Sequence, residues 1–278
     1  MAMKKKALSR PAKNKQALAL RHRINVGRVA IKEQVAFFRR HFGRVSSDWK
    51  ADASRVTFAD IAISQKLFAC LEGVFPKDNF CSEEMASADA PLHLNGDFSW
   101  ILDPIDGTNN FALGFPFCAI SLALLHEGMP VYGFVYDYSM DVIIEGGEGL
   151  GFYQDQQVYH PLEKDPTIQQ MIGLQFPIDL DLLENCLPLI NRFKVRALGS
   201  STLLGTLSAK GFLRGVMDTR ARVWDIAASY AFAHAVGNRF HFLEQSPFPL
   251  QSFHPGLPSC PYYTGCSEFC EMLEGLLN

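Results

Sequence analysis

No run of 18 apolar residues occurs anywhere in the chain, so no segment of it reads as a membrane-spanning helix. A secretory apolar core is missing too. Ala17-Leu18-Ala19-Leu20 is too short and is flanked by Arg21 and Arg23, which predicts a chain without a leader of that kind. Cysteine is sparse and scattered, with seven residues at 70, 81, 118, 186, 260, 266 and 270, none in a CxxC pair. With no His-x₃-His partner near Cys260, Cys266 and Cys270, a zinc site is not expected, and reduced, mostly buried thiols in a cytoplasmic protein are. None of the eight His stands in a helical HxxxH metal pair. Gly146, Gly147, Gly149 and Gly151 lack the spacing of a dinucleotide fingerprint and precede a strand-like pair, so they read as hairpin turns.

Acidic residues are almost absent from residues 1–50, which hold Glu33 and Asp48 against 14 of the 26 Lys and Arg. The rest of the chain carries 27 acidic and 12 basic residues, within a net charge of −3. Such a body is poorly suited to nucleic acid and well suited to divalent cations. The basic start reads as a solvated extension over residues 1–15, with a nucleic-acid or protein contact left open. At 278 residues, 48% hydrophobic, the remainder is long enough for a well-buried core.

Apolar spacing of three and four predicts an amphipathic helix over 24–43, ending at His41-Phe42-Gly43, and a second over 61–75 with Asp60 at or near its N-cap. A short apolar segment then leads to Glu83-Glu84, and residues 86–97 read as a loop. Strand-like runs at 98–102, 117–125, 131–136 and 142–145 describe an antiparallel meander. From residue 171 the rhythm changes to strands alternating with helices: strands at 171–175, 195–199 and 211–218, helices at 179–193, 203–209 and 223–236. An α+β half over about 16–160 thus precedes an α/β half over about 161–278, the last part of which carries little signal before a short helix at 268–277.

One stretch concentrates chemistry. The apolar run Trp100-Ile101-Leu102 ends in Asp103-Pro104-Ile105-Asp106-Gly107-Thr108. Pro104 lacks an N–H and Gly107 permits positive φ, so two carboxylates can be aimed at one cation while free backbone N–H groups face an anion. That is chemistry for a metal and a phosphate.

Together with Ser82-Glu83-Glu84, Val56-Thr57-Phe58-Ala59-Asp60, Gly199-Ser200-Ser201 and Trp224-Asp225-Ile226-Ala227-Ala228, this stretch resembles the inositol monophosphatase family of Mg²⁺-dependent, Li⁺-sensitive phosphatases, over roughly residues 20–240. The resemblance implies a five-layer αβαβα sandwich, an assembly into homodimers, and two or three Mg²⁺ per site. The cations would be held by Glu83, Asp103, Asp106, Asp225 and the carbonyl of Ile105. It further implies in-line attack of an activated water on a phosphate monoester, with Asp60 and Thr108 orienting the water and Glu83 assisting. The N–H groups of Gly107 and Thr108 would hold the phosphate, and Ser200, Ser201, Asp218 and Asp225 the hydroxyls of a small phosphorylated polyol. Lys50 falls near a family lysine. Two departures stand out: Asp218 replaces a Glu, and His234-Ala235-Val236-Gly237-Asn238 replaces Glu-Ala-Gly-Gly, with Asn expected to tolerate the left-handed turn. Inositol monophosphate is the expected substrate. Fructose 1,6-bisphosphate, histidinol phosphate or a 3′-phosphonucleotide are the alternatives, and a regulatory protein acting through its basic N-terminal helix is a third reading.

Overall fold

The computed structural model describes residues 10–49, 55–84, 91–162 and 170–277. Helix α1 (Arg10–His41) is the first described element and starts well before the predicted residue 24, while residues 1–9 of the expected basic extension lie outside the described residues. The Lys, Arg, Gln, Ala and Leu that resembled a tail are all good helix formers, and the added turns are anchored. Gln16 donates to His126 at 2.9 Å, and Arg23 donates to both oxygens of Asp78 at 2.8 and 2.6 Å, where Trp100 Nε1 also donates at 3.0 Å. Arg28 donates to the buried Glu145 at 2.6 Å.

A hairpin of β1 (Ser47–Trp49) and β2 (Arg55–Thr57) leads into α2 (Phe58–Val74), β3 (Asn79–Ser82), a two-residue β4 (Leu92–His93) and β5 (Phe98–Asp106). After α3 (Thr108–Leu113) come β6 (Ala119–His126), β7 (Met129–Asp137), β8 (Val142–Gly147), β9 (Gly151–Gln154) and β10 (Gln157–Val158). They form one sheet in the order β10-β9-β8-β7-β6-β5-β3, antiparallel except for β3 beside β5. The second half supplies β11 (Met171–Leu174), α4 (Leu180–Arg192), β12 (Lys194–Arg196), α5 (Ser201–Ala209), β13 (Leu213–Asp218), α6 (Val223–Ala235), β14 (Arg239–Phe242), β15 (Ser252–Phe253), β16 (Tyr262–Gly265) and α7 (Ser267–Leu277). Its sheet runs β12-β11-β13-β16-β14.

The layers follow from which faces are apolar. On β6, Ile120, Leu122 and Leu124 join the core under α1 and α2, while Ala119, Ala123 and Leu125 face the core shared with α5 and α6. Both faces of the strand are buried, as its period of two requires. A third core, with Ile172, Leu189, Phe269 and Leu273, lies between the second sheet and α4 with α7. The result is a five-layer αβαβα sandwich. All seven cysteines are free thiols, and six are buried.

Several local expectations change. Strand β5 does not stop at Leu102. It continues through Pro104 to Asp106 with a register shift against β6, so its carboxylates come from a bulged strand end and not from a tight turn. Glu83 and Glu84 lie in a turn after β3, so strand alternation does not govern them. The Pro- and Phe-rich C-terminal stretch supplies β16, which is antiparallel to both β13 and β14. At the end of α6 it is Gly237, at φ 73°, that takes the left-handed conformation, and Asn238 instead donates its amide to Ser208 O at 3.3 Å.

Candidate active site

Three carboxylates meet where the two halves join. Asp103 and Asp106 close β5 and Asp225 lies in the first turn of α6, with ligand oxygens all within 4.8 Å of one another. Each is held by the protein through one oxygen. Asp103 Oδ1 accepts from the Ile105 N–H at 3.0 Å, and Asp225 Oδ2 accepts from the Arg222 N–H at 2.6 Å. Asp106 Oδ2 accepts from the Thr202 N–H at 2.8 Å and from the Ser200 hydroxyl. One oxygen of each is thereby oriented by a protein donor, and Asp103 and Asp225 also lie within hydrogen-bond reach of each other. The donor set is hard oxygen throughout, as Mg²⁺ prefers.

Electrostatics point the same way. Burial pushes Asp103 well above the usual carboxylate range, and the charges of Glu83, Asp106 and Asp225 push it further. Asp225 is raised by burial and then by Asp106, partly offset by the Arg222 N–H. Burial lifts Asp106 to about 6 against the opposing bonds from Ser200 and Thr202. Packed carboxylates with such shifts are a site that asks for positive charge.

Asp60 has a parallel construction. It is the third residue of α2, not its cap. Thr57 caps the helix, and Asp60 Oδ2 accepts from the Thr57 N–H at 2.7 Å and its hydroxyl at 2.6 Å. Burial raises Asp60 to about 7 in spite of these bonds, with the charges of Glu84 and Glu83 adding to the rise. Thr108 Oγ1 lies 3.3 Å from Asp60 Oδ1 and 2.8 Å from Ile105 O. A hydroxyl has one proton, so only one of these acceptors is served at a time. Thr108 stands immediately after Gly107, whose φ is 81° and where a Cβ would come within 3.0 Å of Phe117 O and 3.1 Å of Gly199 O. Only glycine fits there.

A cleft of about 680 Å³ opens on this cluster, and Glu83, Asp103, Ile105, Asp106, Gly107, Thr108 and Asp225 all line it. Four other predicted residues lie behind it. Asp60 is fully buried and reaches the cleft through Thr108. Ser200 caps α5 and donates to Asp106, while Ser201 donates to the buried Asp218, which also accepts from the Arg220 and Ala221 N–H groups at 2.8 and 3.1 Å. The structure therefore gives Ser200, Ser201 and Asp218 internal partners. Lys50 lies outside the described residues. Sequence reasoning missed Thr202, which acts through its backbone and so leaves no side-chain signal. It also missed Arg55, Phe176, Arg220 and Arg222 in the cleft wall. The spacing Arg220-x-Arg222 just before Trp224-Asp225 was the available signal for two of these.

Comparison with known proteins agrees with this geometry. A family model described as the inositol monophosphatase family matches residues 20–262. Bovine (Bos taurus) inositol monophosphatase 1 is 28% identical over 211 residues, covering 72% of this chain and 75% of the relative. Among solved structures, the extragenic suppressor protein suhB from Bartonella henselae superposes with a TM-score of 0.77 at 22% identity, covering 92% of this chain and 98% of that one. An IMPase/NADP phosphatase solved with NADP and Ca²⁺ gives 0.76 at 23% identity, covering 93% and 96%.

Proposed function

The chain belongs to the inositol monophosphatase family and is a phosphoric monoester hydrolase, and from that premise we propose that it hydrolyses a small phosphorylated polyol, with inositol monophosphate the first candidate, in a Mg²⁺-dependent and Li⁺-sensitive reaction. The observation that carries this reading is the meeting of Asp103, Asp106 and Asp225 within 4.8 Å, each with one oxygen held by a protein donor. Those three carboxylates, with Glu83 and the Ile105 carbonyl from the same cleft wall, would hold two or three divalent cations. When bound, the cations supply Lewis acidity toward the phosphate oxygens and the attacking water.

The rest is done by the chain's own groups. The Gly107 and Thr108 N–H groups, at the start of α3 in the cleft wall, would receive phosphate oxygens. Thr108 Oγ1 orients the water, and its proton is directed to Asp60 or to the Ile105 carbonyl. Asp60, raised to about 7 by burial, is suited to accept a proton near neutral pH through that hydroxyl. Asp60 is thus a positioning and proton-accepting residue behind the wall. No phospho-enzyme is needed, since a water takes the nucleophile's role.

The reading of a regulatory protein acting through its basic helix is weakened, because Arg23 and Arg28 are engaged by Asp78 and Glu145. Phosphate release from inositol 1-phosphate, fructose 1,6-bisphosphate, histidinol phosphate and a 3′-phosphonucleotide, measured with Mg²⁺ and with added Li⁺, tests the proposal. Mg²⁺-dependent, Li⁺-inhibited turnover of inositol 1-phosphate or another of the four compounds supports it. No turnover of any of the four contradicts it.

A further inference from the structure

The cleft has a basic wall that the hydrolysis of a simple monoester does not use. Arg55, Arg220 and Arg222 line the same space as the acidic cluster. Two of the three have tasks within the fold. Arg222 donates from its guanidinium to Leu257 O, and Arg55 donates to the Ser47 hydroxyl at 3.0 Å. Arg220 differs. Its side chain is exposed, and its guanidinium donates to no described residue and forms no ion pair with one.

Elsewhere in the fold the arginines that face carboxylates are paired with them: Arg23 with Asp78, Arg28 with Glu145, Arg39 with Asp141, and Arg239 with Glu274. Arg220 makes no such ion pair among the described residues; its charge acts on the buried Asp218, and its guanidinium N–H groups are left to a ligand in the cleft.

The base of this side chain is fixed although its head is free. The Arg220 and Ala221 N–H groups both donate to Asp218 Oδ1, and Asp218 is itself buried and held by the Ser201 hydroxyl. On the far side of the turn, the Ala221 carbonyl accepts from the Cys260 N–H at 2.7 Å. A planar guanidinium on a pinned backbone in a concave wall is a device for bidentate recognition of phosphate or carboxylate. In the proposed reaction the scissile phosphate is taken by the groups around Asp225, Asp103 and Asp106. The group that Arg220 receives is therefore a second one. Phe176, half exposed in the same wall, offers an apolar surface to the ring or carbon chain that joins the two. A cleft of about 680 Å³ has room for a ligand of that size.

We infer that Arg220 is a specificity residue, and that the preferred substrates of this enzyme carry a second anionic group, phosphate or carboxylate, in addition to the phosphate that is cleaved. The inference rests on the phosphatase reading above and narrows its substrate class.

The test is a comparison of kcat/KM within matched pairs. Inositol 1-phosphate is set against inositol 1,4-bisphosphate for a second phosphate, and glucose 6-phosphate against 6-phosphogluconate for a carboxylate. Wild-type protein prefers the doubly anionic member of at least one pair by roughly tenfold or more, as expected for a charged hydrogen bond. In Arg220→Ala that preference collapses, mainly through KM. Arg220→Lys, which keeps the charge but not the fork, retains part of it. Which pair responds identifies the second group.

Turnover of the members with one and with two anionic groups at equal kcat/KM in both pairs overturns this inference and leaves the phosphatase reading standing. An Arg220→Ala variant that weakens both members of a pair equally also overturns it, because Arg220 would then serve the scissile phosphate. Absence of turnover on all four compounds overturns the phosphatase reading and this inference with it.

Discussion

At the scale of single residues, the site is a set of carboxylates each oriented through one oxygen by a protein donor. Ser200 shows how much depends on the holding groups. Its hydroxyl donates to Asp106 and accepts from the Leu203 N–H at 3.2 Å, so one atom orients a proposed ligand and caps α5. Ser200→Ala should raise the Mg²⁺ concentration for half-maximal phosphate release by roughly 10- to 100-fold, the usual effect of removing an outer partner of a metal ligand. It should also cost about 1 kcal/mol of stability through the lost cap. A Mg²⁺ titration and a urea melt separate the two effects, and a variant with the stability loss alone would reduce Ser200 to a cap. The acidic members of the site were legible in the sequence because Asp-Pro-Ile-Asp-Gly-Thr and Trp-Asp are local strings. Ser200, Ser201 and Asp218 were also found, as expected substrate contacts, and the structure adds that they bond within the protein. Nothing in a linear pattern distinguishes a hydroxyl that faces a ligand from one that faces a buried carboxylate.

At the scale of elements, α1 is the least expected piece. Its Lys- and Arg-rich start reads by charge as a solvated arm, yet the helix runs continuously from Arg10 and makes its main polar contacts through Arg23 and Arg28. Glu145 is 1% exposed and Arg28 supplies its charge partner. Removing one member of a buried pair leaves an uncompensated charge, so Arg28→Met should cost about 3–5 kcal/mol. Adding Glu145→Gln should recover part of that loss, and denaturant melts of the single and double variants measure both. A loss below about 1 kcal/mol, in the range of surface pairs, would mean the pair is not a buried one. Strands β6 to β9 were readable because hairpins bring sequence neighbours together. Strand β16 was not. It inserts between β13 and β14, and a pairing over such sequence separation leaves no local period to detect. The bulge at Asp103–Asp106 was hidden for a related reason, since a proline after an apolar run reads as the end of a strand when it can equally mark an irregularity within one.

At the scale of the whole molecule, the two halves converge on a concentration of negative charge that must be balanced from outside. An Asp in an unfolded chain titrates near 3.9, whereas the fold raises Asp60 to about 7 and Asp106 to about 6, and holds Asp103 and Asp225 well above the usual carboxylate range. A raised folded value means that the folded state binds protons more tightly than the unfolded one. This contribution to stability is fully present below about pH 4 and is lost as the pH rises to about 7. The Tm of metal-free protein should therefore fall between about pH 5 and about pH 7.5, and added Mg²⁺ should raise it more at the upper end than at the lower. A metal-free Tm that climbs across that window would mean that the carboxylates are not destabilising in the fold. The most direct test of the account is the Mg²⁺ dependence of phosphate release from inositol 1-phosphate by wild-type protein and by Asp103→Asn. The substitution keeps the shape of a buried side chain whose Oδ1 accepts from the Ile105 N–H, and removes only its charge. The account predicts a Mg²⁺-activated wild type and a folded variant whose rate falls by at least about 100-fold, the scale of loss of a charge-stabilising group. A folded variant that keeps a near-normal, Mg²⁺-activated rate would contradict it.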